Sequence, residues 1–535
     1  MTAATTSVGA PPARRDSPLA APTRLLRLEL RRSPILWTLP LLGVLLWLGV
    51  CRPSMASPPL WNARATVLQH AVLFLGPLLA GATAWVGSRD GRRGLTDLVG
   101  VTAVPRWAGQ LTTWAATTCW AEAVYLVGVA IVYGITAEQA RWGGPLWWPV
   151  AVGAAGVATS CALGFAAGAL LPGRFTAALA AVVVFLALGA GAFALQNNAT
   201  YAQIWPLNVQ GALPRDSYGI FYPYLPDLAI AQLMFLAGLA VAALGALGLP
   251  AAAGSSWLRG AAAALTAAGL AAAGTAVGLA GTARLEAHGI VIPALHDAAS
   301  DMPTSYTPVC SHSVVPVCMH PAYRSFLPAV TAALGPVLDQ VAGLPGAPVR
   351  VTQVAVTTVQ QESSNGVQLG GPVIGGSPPV VYLPLAGLSL PGEGSTTAQF
   401  VEALRSQDAP AILNTLVGLS GQQGLPGGIS AQGYDVAPPP GPRMAAQVAV
   451  AMALAKVAGL SPGGVPLADD GRTPANSTRP GNARNPMVKG STSVSAAQLA
   501  AARRFAALPA AMRRAWLVTH LAALRAGRVT LSEIP

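Results

Sequence analysis

Seven stretches of about 20 mostly apolar residues run through the first half of the chain, at 34–51, 67–87, 108–134, 148–171, 176–195, 229–249 and 261–281. Runs of this length constrain a fold more than any motif does. Each is long enough to cross the roughly 30 Å hydrocarbon core of a bilayer as one helix. Helix is close to obligatory there, because no water inside a bilayer can satisfy free backbone N–H and C=O groups. Composition agrees: 10% of the 535 residues are charged and 53% are apolar, with a mean hydropathy of +0.51, whereas soluble domains carry about 25% charged residues. A string of soluble domains and a disordered chain are both excluded. The expectation is an α-helical membrane protein with about seven spans.

Charge sets the orientation. With the N-terminus inside, the inner segments hold Arg14, Arg15, Arg24, Arg27, Arg31, Arg32, Arg89, Arg92, Arg93, Arg106, Arg174 and Arg259, and the short outer loops hold Arg52, Arg64, Arg141 and Arg215. Basic residues collect on the cytoplasmic side of membrane proteins, so this asymmetry predicts a cytoplasmic N-terminus. The net charge of +12 is then orientation charge, and nucleic acid is not an expected partner. Seven spans would leave everything after about residue 282 outside the plasma membrane. Tryptophans follow the same division: twelve of the thirteen precede residue 258, several near span ends (Trp61, Trp85, Trp107, Trp142, Trp147, Trp148, Trp205, Trp257). Lys456 and Lys489 are the only lysines, a bias towards Arg that fits a GC-rich bacterial gene.

Residues 1–33 read as a cytoplasmic tail ending in a short basic amphipathic helix, Arg24 to Arg32. Leu25 and Leu28 lie on one side, with Arg24, Arg27 and Arg31 opposite, suited to the inner membrane surface. The following apolar run has no small-residue cleavage site, and Val50 is too large to precede a lipoprotein cysteine at Cys51, so the run reads as an anchor.

After the membrane domain, 34–281, the pattern changes. Helical periodicity at about 323–343, 396–419, 443–460 and 495–526, with β-rich runs at Val349–Val359 and Val380–Leu383, predicts a mixed α/β extracytoplasmic domain over 282–460. A Gly-, Pro- and Ser-rich linker, 461–494, and a C-terminal helical segment, 495–535, complete the chain. Residues 444–460 are apolar enough for an eighth span, which would return the C-terminus to the cytoplasm. With about 17 residues and Lys456 inside, a buried helix is the expectation.

Cys310 and Cys318 sit in a doubled pattern, Cys310-Ser311-His312 and Cys318-Met319-His320. Two thiolates and two imidazoles could hold zinc. An oxidising exterior favours a disulfide instead, and the spacing matches no standard zinc finger. Cys51, Cys119 and Cys161 lie in or beside spans, where they read as packing residues, and His288, His296 and His520 read as ordinary polar residues.

Glu122 falls near the middle of the third span, and an ionisable residue at that depth is a functional candidate by default. The structural alternative is a protonated carboxyl bonded to a neighbouring Ser, Thr or Trp. His70, the nearest titratable residue by sequence, lies about 13 Å away in depth. Gly274 and Gly278 form a small-residue pair in the seventh span, read as close packing within one bundle, with a dimer face as the alternative. No phosphate-binding Gly-rich loop, zinc-protease helix or hydrolase nucleophile elbow is present, so a standard ATP site on this chain is not expected.

The loop after the second span reads Arg89-Asp90-Gly91-Arg92-Arg93-Gly94-Leu95-Thr96-Asp97-Leu98 and ends Val104-Pro105-Arg106. A long aromatic segment, with Tyr201, Trp205, Tyr218, Phe221, Tyr222 and Tyr224, separates the fifth and sixth spans. Together with the basic helix before the first span, this resembles the permease subunit of type-2 ATP-binding-cassette (ABC) exporters of the actinobacterial branch, over about residues 24–250. The resemblance implies an interface helix bearing Arg24, Arg27 and Arg31. It implies an ATPase-coupling segment with Arg89, Asp90, Arg92, Arg93, Asp97 and Arg106, a separate ATPase subunit that uses the ATP, and a homodimer or paired permease. Plain orientation charge is the simpler reading of the same arginines. The seventh span and the long tail depart from the family's usual six spans and cytoplasmic C-terminus. Two other functions fit the sequence: a membrane-anchored envelope protein whose outer domain binds or senses, and a membrane enzyme centred on Cys310, His312, Cys318 and His320.

Overall fold

The computed structural model describes residues 20–52, 55, 59–94, 105–196, 204–206, 220–251, 255–286, 289–355, 361–363, 366–368, 372–385, 390, 395–419, 442–460 and 494–535. Asp97, Tyr201, Tyr218, His288 and linker residues 461–493 lie outside them. The described chain is mostly helical, with a small mixed sheet.

Five helices are long and apolar enough to cross a membrane: Trp61–Gly87, Arg106–Gln139, Trp147–Leu170, Asp227–Ala251 and Ser256–Gly281. A sixth is added if the pair Thr23–Trp37 and Leu39–Cys51, bent by 61°, counts as one span. The bend has a local cause. Ser33 is extended (φ −61°, ψ 123°) before Pro34, as a residue preceding proline tends to be, and a 3-10 turn Pro34–Trp37 follows. Thr38 Oγ1 donates to Ile35 O at 2.7 Å, and a new helix then starts at Leu39 with Pro40 in its first turn. We number the helices α1 (Ala20–Arg32), α2 (Leu39–Leu46), α3 (Trp61–His70), α4 (Val72–Gly87), α5 (Arg106–Gln139), α6 (Trp147–Leu170), α7 (Thr176–Gln196), α8 (Asp227–Ala251) and α9 (Ser256–Gly281).

Small residues set the closest helix contacts. A Cβ on Gly164 or Gly168 of α6 would lie 2.2 Å from Ala80 O or 2.0 Å from Ala84 O of α4. Gly238, Gly245 and Gly269 do the same between α8 and α9. Gly274 and Gly278 do not: nothing lies within 4 Å of a Cβ at either. The expected packing role of that pair is therefore corrected. The two glycines are on the exposed face of α9, and Gly269, nearer the start of the same helix, makes the contact with α8.

The last 250 residues build around a five-stranded sheet of order β3-β4-β5-β9-β8, from Val309–Cys310, Val317–Met319, Arg350–Gln353, Val380–Leu383 and Val373–Gly375. Strands β4, β5 and β9 are parallel and the two edge pairs antiparallel. Helix α10 (Leu327–Val341) crosses from β4 to β5, as a parallel pair requires. Of two further two-stranded pairs, Arg284–Glu286 with Gly289–Val291 (β1, β2) precedes the sheet in sequence, and Gln361–Ser363 with Gly366–Gln368 (β6, β7) falls between β5 and β8. Helices α11 (Thr397–Ala403), α12 (Ala409–Val417), α13 (Pro442–Val457), α14 (Ala496–Ala507) and α15 (Ala510–Arg525) follow. Residues Val448–Ala455 of α13 are buried in the core of this domain. Phe505, Leu517, Leu521 and Leu524 share that core with Phe400 and Val381. Helices α14 and α15 thus bury their apolar faces in the same core as the earlier helices and strands of the domain.

Candidate functional site

Two ends of the helical bundle differ in kind. At one end, α4 runs into a single helical turn, Arg89–Arg92, followed by Arg93. Gly91 sits so close to Pro172, after α6, that a Cβ would come within 2.5 Å of it, which fixes the turn on the bundle. Arg89 Nε lies 3.3 Å from Asp90 Oδ1, and its Nη2 is 3.6 Å from Glu29 Oε1 of α1. The Arg92 guanidinium stacks 3.5 Å from the Trp85 ring centroid and donates to Trp85 O at 2.9 Å. Arg93 is exposed. Arg106 opens α5 behind Pro105, and beside it Val86, Trp107, Phe165, Leu247 and Ala262 form one apolar cluster. The expected coupling residues therefore divide. Arg89 and Arg92 are spent on contacts within the chain, while Arg93 is free to meet a partner surface.

Helix α1 keeps Arg24, Arg27 and Arg31 exposed. Its covered face differs from the expected one: Leu25, Leu26, Glu29 and Leu30 are half-buried, whereas Leu28 is exposed. Packing against α5 causes the difference, and the Trp120 indole N–H donates to Leu30 O at 2.9 Å.

Glu122 lies on α5 opposite Ala158, the middle of α6, and beside Cys161. Its Oε1 is buried without a hydrogen-bond partner. Tyr125, one turn on, donates its hydroxyl to Val150 O at 3.2 Å and is completely buried. His70, at the end of α3, is no part of this group.

At the opposite end, Leu60, Phe221 and, partly buried, Trp142 join the core of the C-terminal domain. They come from the three segments that separate the first and second, third and fourth, and fifth and sixth apolar runs. His320 is the hub. Its ring contacts those of Trp142 (4.8 Å), Phe221 (5.5 Å) and Tyr306 (4.3 Å). Burial without solvent pushes His320 down to about 4, so it is neutral at ordinary pH. Its Nδ1 accepts from Ala322 N–H at 3.2 Å, and the backbone N–H of His320 donates to Gln353 Oε1 at 3.0 Å.

Nearby, His296 bridges two carboxylates: Nδ1 is 3.2 Å from Asp227 Oδ2 and Nε2 is 3.1 Å from Asp301 Oδ1. Asp227 begins α8, is fully buried, and accepts Ile292 N–H on Oδ2 at 3.0 Å. The Asp301 bond first, then the charges of Asp227 and Asp301, hold His296 above the usual histidine range, against the opposing effect of desolvation. This trio went unseen in the sequence, where Asp227 and His296 stand 69 residues apart and His296 reads as an ordinary polar residue. No local spacing carries the signal.

Cys310 and Cys318 occupy facing positions of β3 and β4 and are joined as a disulfide. Both thiolates that a zinc site or enzyme centre would need are consumed. His312 is exposed and His320 points into the aromatic cluster, so the four residues do not converge. Among the described residues no group of three or more His, Cys, Asp or Glu is placed to hold a metal ion.

The fold thus defines the class at a coarse level: a helical chain with five or six helices able to span a membrane, carrying a mixed α/β domain at one end. Comparison with protein-family models, with curated proteins and with solved structures found no match to this chain.

Proposed function

We propose that the chain is the permease subunit of a type-2 ABC exporter, moving its substrate across the plasma membrane on ATP hydrolysed by a separate subunit. The observation that carries this reading is the Arg89–Arg92 turn. It is clamped to α6 through Gly91 and Pro172, tied to α1 through Arg89 and Glu29, and presents Arg93 outward. A rigid turn that touches three elements can convert movement of a docked ATPase into tilting of α4, α6 and α1 together. In this account the bent pair and α7 are spans one and five, giving seven with the five long helices. The N-terminus and the Arg89 end face the cytoplasm, as basic residues do, and the C-terminal domain is extracytoplasmic. The working unit is a homodimer or paired permease in the lipid bilayer.

The test is Arg93→Glu in the full chain. Membrane insertion should persist while export and substrate-stimulated ATP hydrolysis fall at least tenfold. Full transport activity in that variant would refute the coupling role.

A second reading rests on the His320 cluster, where three bundle segments lock into the C-terminal domain. In it the outer domain binds or senses, and the bundle only holds it. Normal ligand response in a strain lacking any ATPase partner would favour this alternative.

A further inference from the structure

The loop between β3 and β4, Ser311 to Pro316, is closed at its base by the disulfide between Cys310 and Cys318, eight positions apart. One step beyond the disulfide, Ser311 and Val317 pair twice. Ser311 N–H donates to Val317 O at 2.9 Å, and Val317 N–H donates to Ser311 Oγ at 2.9 Å. Ser313 Oγ donates to Val315 O at 2.8 Å and lies 2.7 Å from Ser311 Oγ. A hydroxyl has one proton to give, and that of Ser313 goes to Val315, so Ser311 donates to Ser313. The two hydroxyls therefore brace the loop from inside. The returning arm is fixed from below: Val315 and Val317 are buried in the domain core, and Val351 N–H of β5 donates to Pro316 O at 2.9 Å.

These bonds turn Ser311 and Ser313 inward. The residues that alternate with them, His312 and Val314, are exposed, Val314 at 77%. Neither belongs to the domain core, so the bracing holds in place two side chains that the fold does not use. Holding a loop in its bound shape removes much of the ordering cost of association. A partner that adds a strand to a sheet edge needs a longer free edge than the two residues of β3. A short convex loop offering alternate side chains suits instead a concave cleft with one deep pocket. The substrate cleft of a serine endopeptidase has that form, with its pocket for the residue before the scissile bond. Ser311 and Ser313 are small, which leaves the His312–Ser313 peptide bond open to approach.

We propose that the Cys310–Cys318 loop binds a serine endopeptidase as a substrate-like inhibitor, with the flat His312 ring in the enzyme's primary pocket and the His312–Ser313 bond against its nucleophile. Attack by the enzyme's serine oxygen on the His312 carbonyl carbon forms an ester and breaks the bond to the Ser313 nitrogen. The serine proton passes to that nitrogen. The disulfide and the Ser311–Val317 pairing hold the new amine beside the ester, so the reverse attack restores the peptide bond and returns the proton to the serine oxygen. The loop carries this inference alone, independently of the export reading.

The test uses the full chain in detergent, with the disulfide intact, and initial rates of two enzymes: chymotrypsin, whose pocket is an apolar slot, and trypsin, whose pocket holds an aspartate. The wild type should inhibit chymotrypsin competitively, and His312→Phe should inhibit it at least tenfold more tightly. His312→Arg should transfer the inhibition to trypsin. Mass spectrometry should find the His312–Ser313 bond cut at least a hundredfold more slowly than in a linear peptide of residues 308–320 with both cysteines replaced by serine. Ser311→Ala, which removes the brace and keeps His312, should be cut at least tenfold faster than wild type. The proposal is overturned if the wild type does not inhibit chymotrypsin, if His312→Arg does not inhibit trypsin, if the folded loop is cut as fast as the linear peptide, or if Ser311→Ala is cut no faster than wild type.

Discussion

Replacing His296 by Ala tests how the C-terminal domain is held to the bundle. In the native arrangement one imidazole joins Asp227, at the start of α8, to Asp301, beyond β2. Asp227 has no solvent exposure and one carboxylate oxygen without a partner, so losing His296 leaves it only the Ile292 N–H. Breaking a buried charge pair from one side costs about 3 to 5 kcal/mol. His296 keeps some solvent contact and Asp301 more, so the lower part of the scale applies, about 2 to 3 kcal/mol after allowance for screening. That corresponds to roughly a 30- to 160-fold rise in local opening. Hydrogen exchange of peptides covering residues 289–302 in the full chain reads it directly.

The same assay carries a pH sign. The native His296 is held above its unfolded value, so its stabilisation is complete below about pH 6.5 and fades as pH rises through the native value. Corrected for intrinsic rates, opening of this segment should increase with alkalinity in the wild type and lose that dependence in His296→Ala. Equal protection in the variant, or tighter protection at high pH, would refute the reasoning.

Three further outcomes follow from other sites. His320, held at about 4 against an ordinary value near 6.5, should weaken the junction as pH falls from about 6.5 to 4, by about 3 kcal/mol in all; Trp142 emission reports it, and His320→Phe should remove the dependence. Asp408, buried at the end of the Leu404–Asp408 turn and pushed up to about 7 by desolvation, favours its neutral form. Asp408→Asn should therefore raise stability by an amount that grows as pH rises from about 4 to 7 and is complete above that, about 1 kcal/mol or more, in thermal unfolding followed by circular dichroism. Gly168→Leu should sharply reduce folded yield, because even a Cβ there meets Ala84 O at 2.0 Å, whereas Gly274→Leu should be tolerated; overpacking of that kind costs about 1 to 3 kcal/mol or more, read by detergent size-exclusion yield.

Where the sequence was readable, a single physical rule was at work. A 20-residue apolar run has one solution in a bilayer, so the third, fourth, sixth and seventh runs match α5, α6, α8 and α9 within a few residues or one turn or so at their ends. The ends move outward because polar residues there are paired inside the protein. Arg64, counted as a loop charge, is buried in α3, donating to Thr136 and Gln139 at 3.0 and 2.6 Å. Hydropathy cannot anticipate that, since the partners stand more than 70 residues away. The first run hid a 61° bend behind Pro34 and Pro40. Long-range assembly was illegible for the same reason: nothing local in Asp227, His296 or His320 marks them as the residues that join bundle to domain. Glu122 was legible because a charge in an apolar run stands out alone.

The central claim is that a separate ATPase docks on the Arg93 end. A cysteine at that position, Arg93→Cys, crosslinked in native membranes and purified with its partners, tests it most directly. The account predicts one ATP-binding-cassette subunit captured in stoichiometric yield, and lost when a cysteine is placed instead at exposed His312 of the C-terminal domain. An intact, abundant chain that captures no nucleotide-binding protein from the Arg93 position would contradict it.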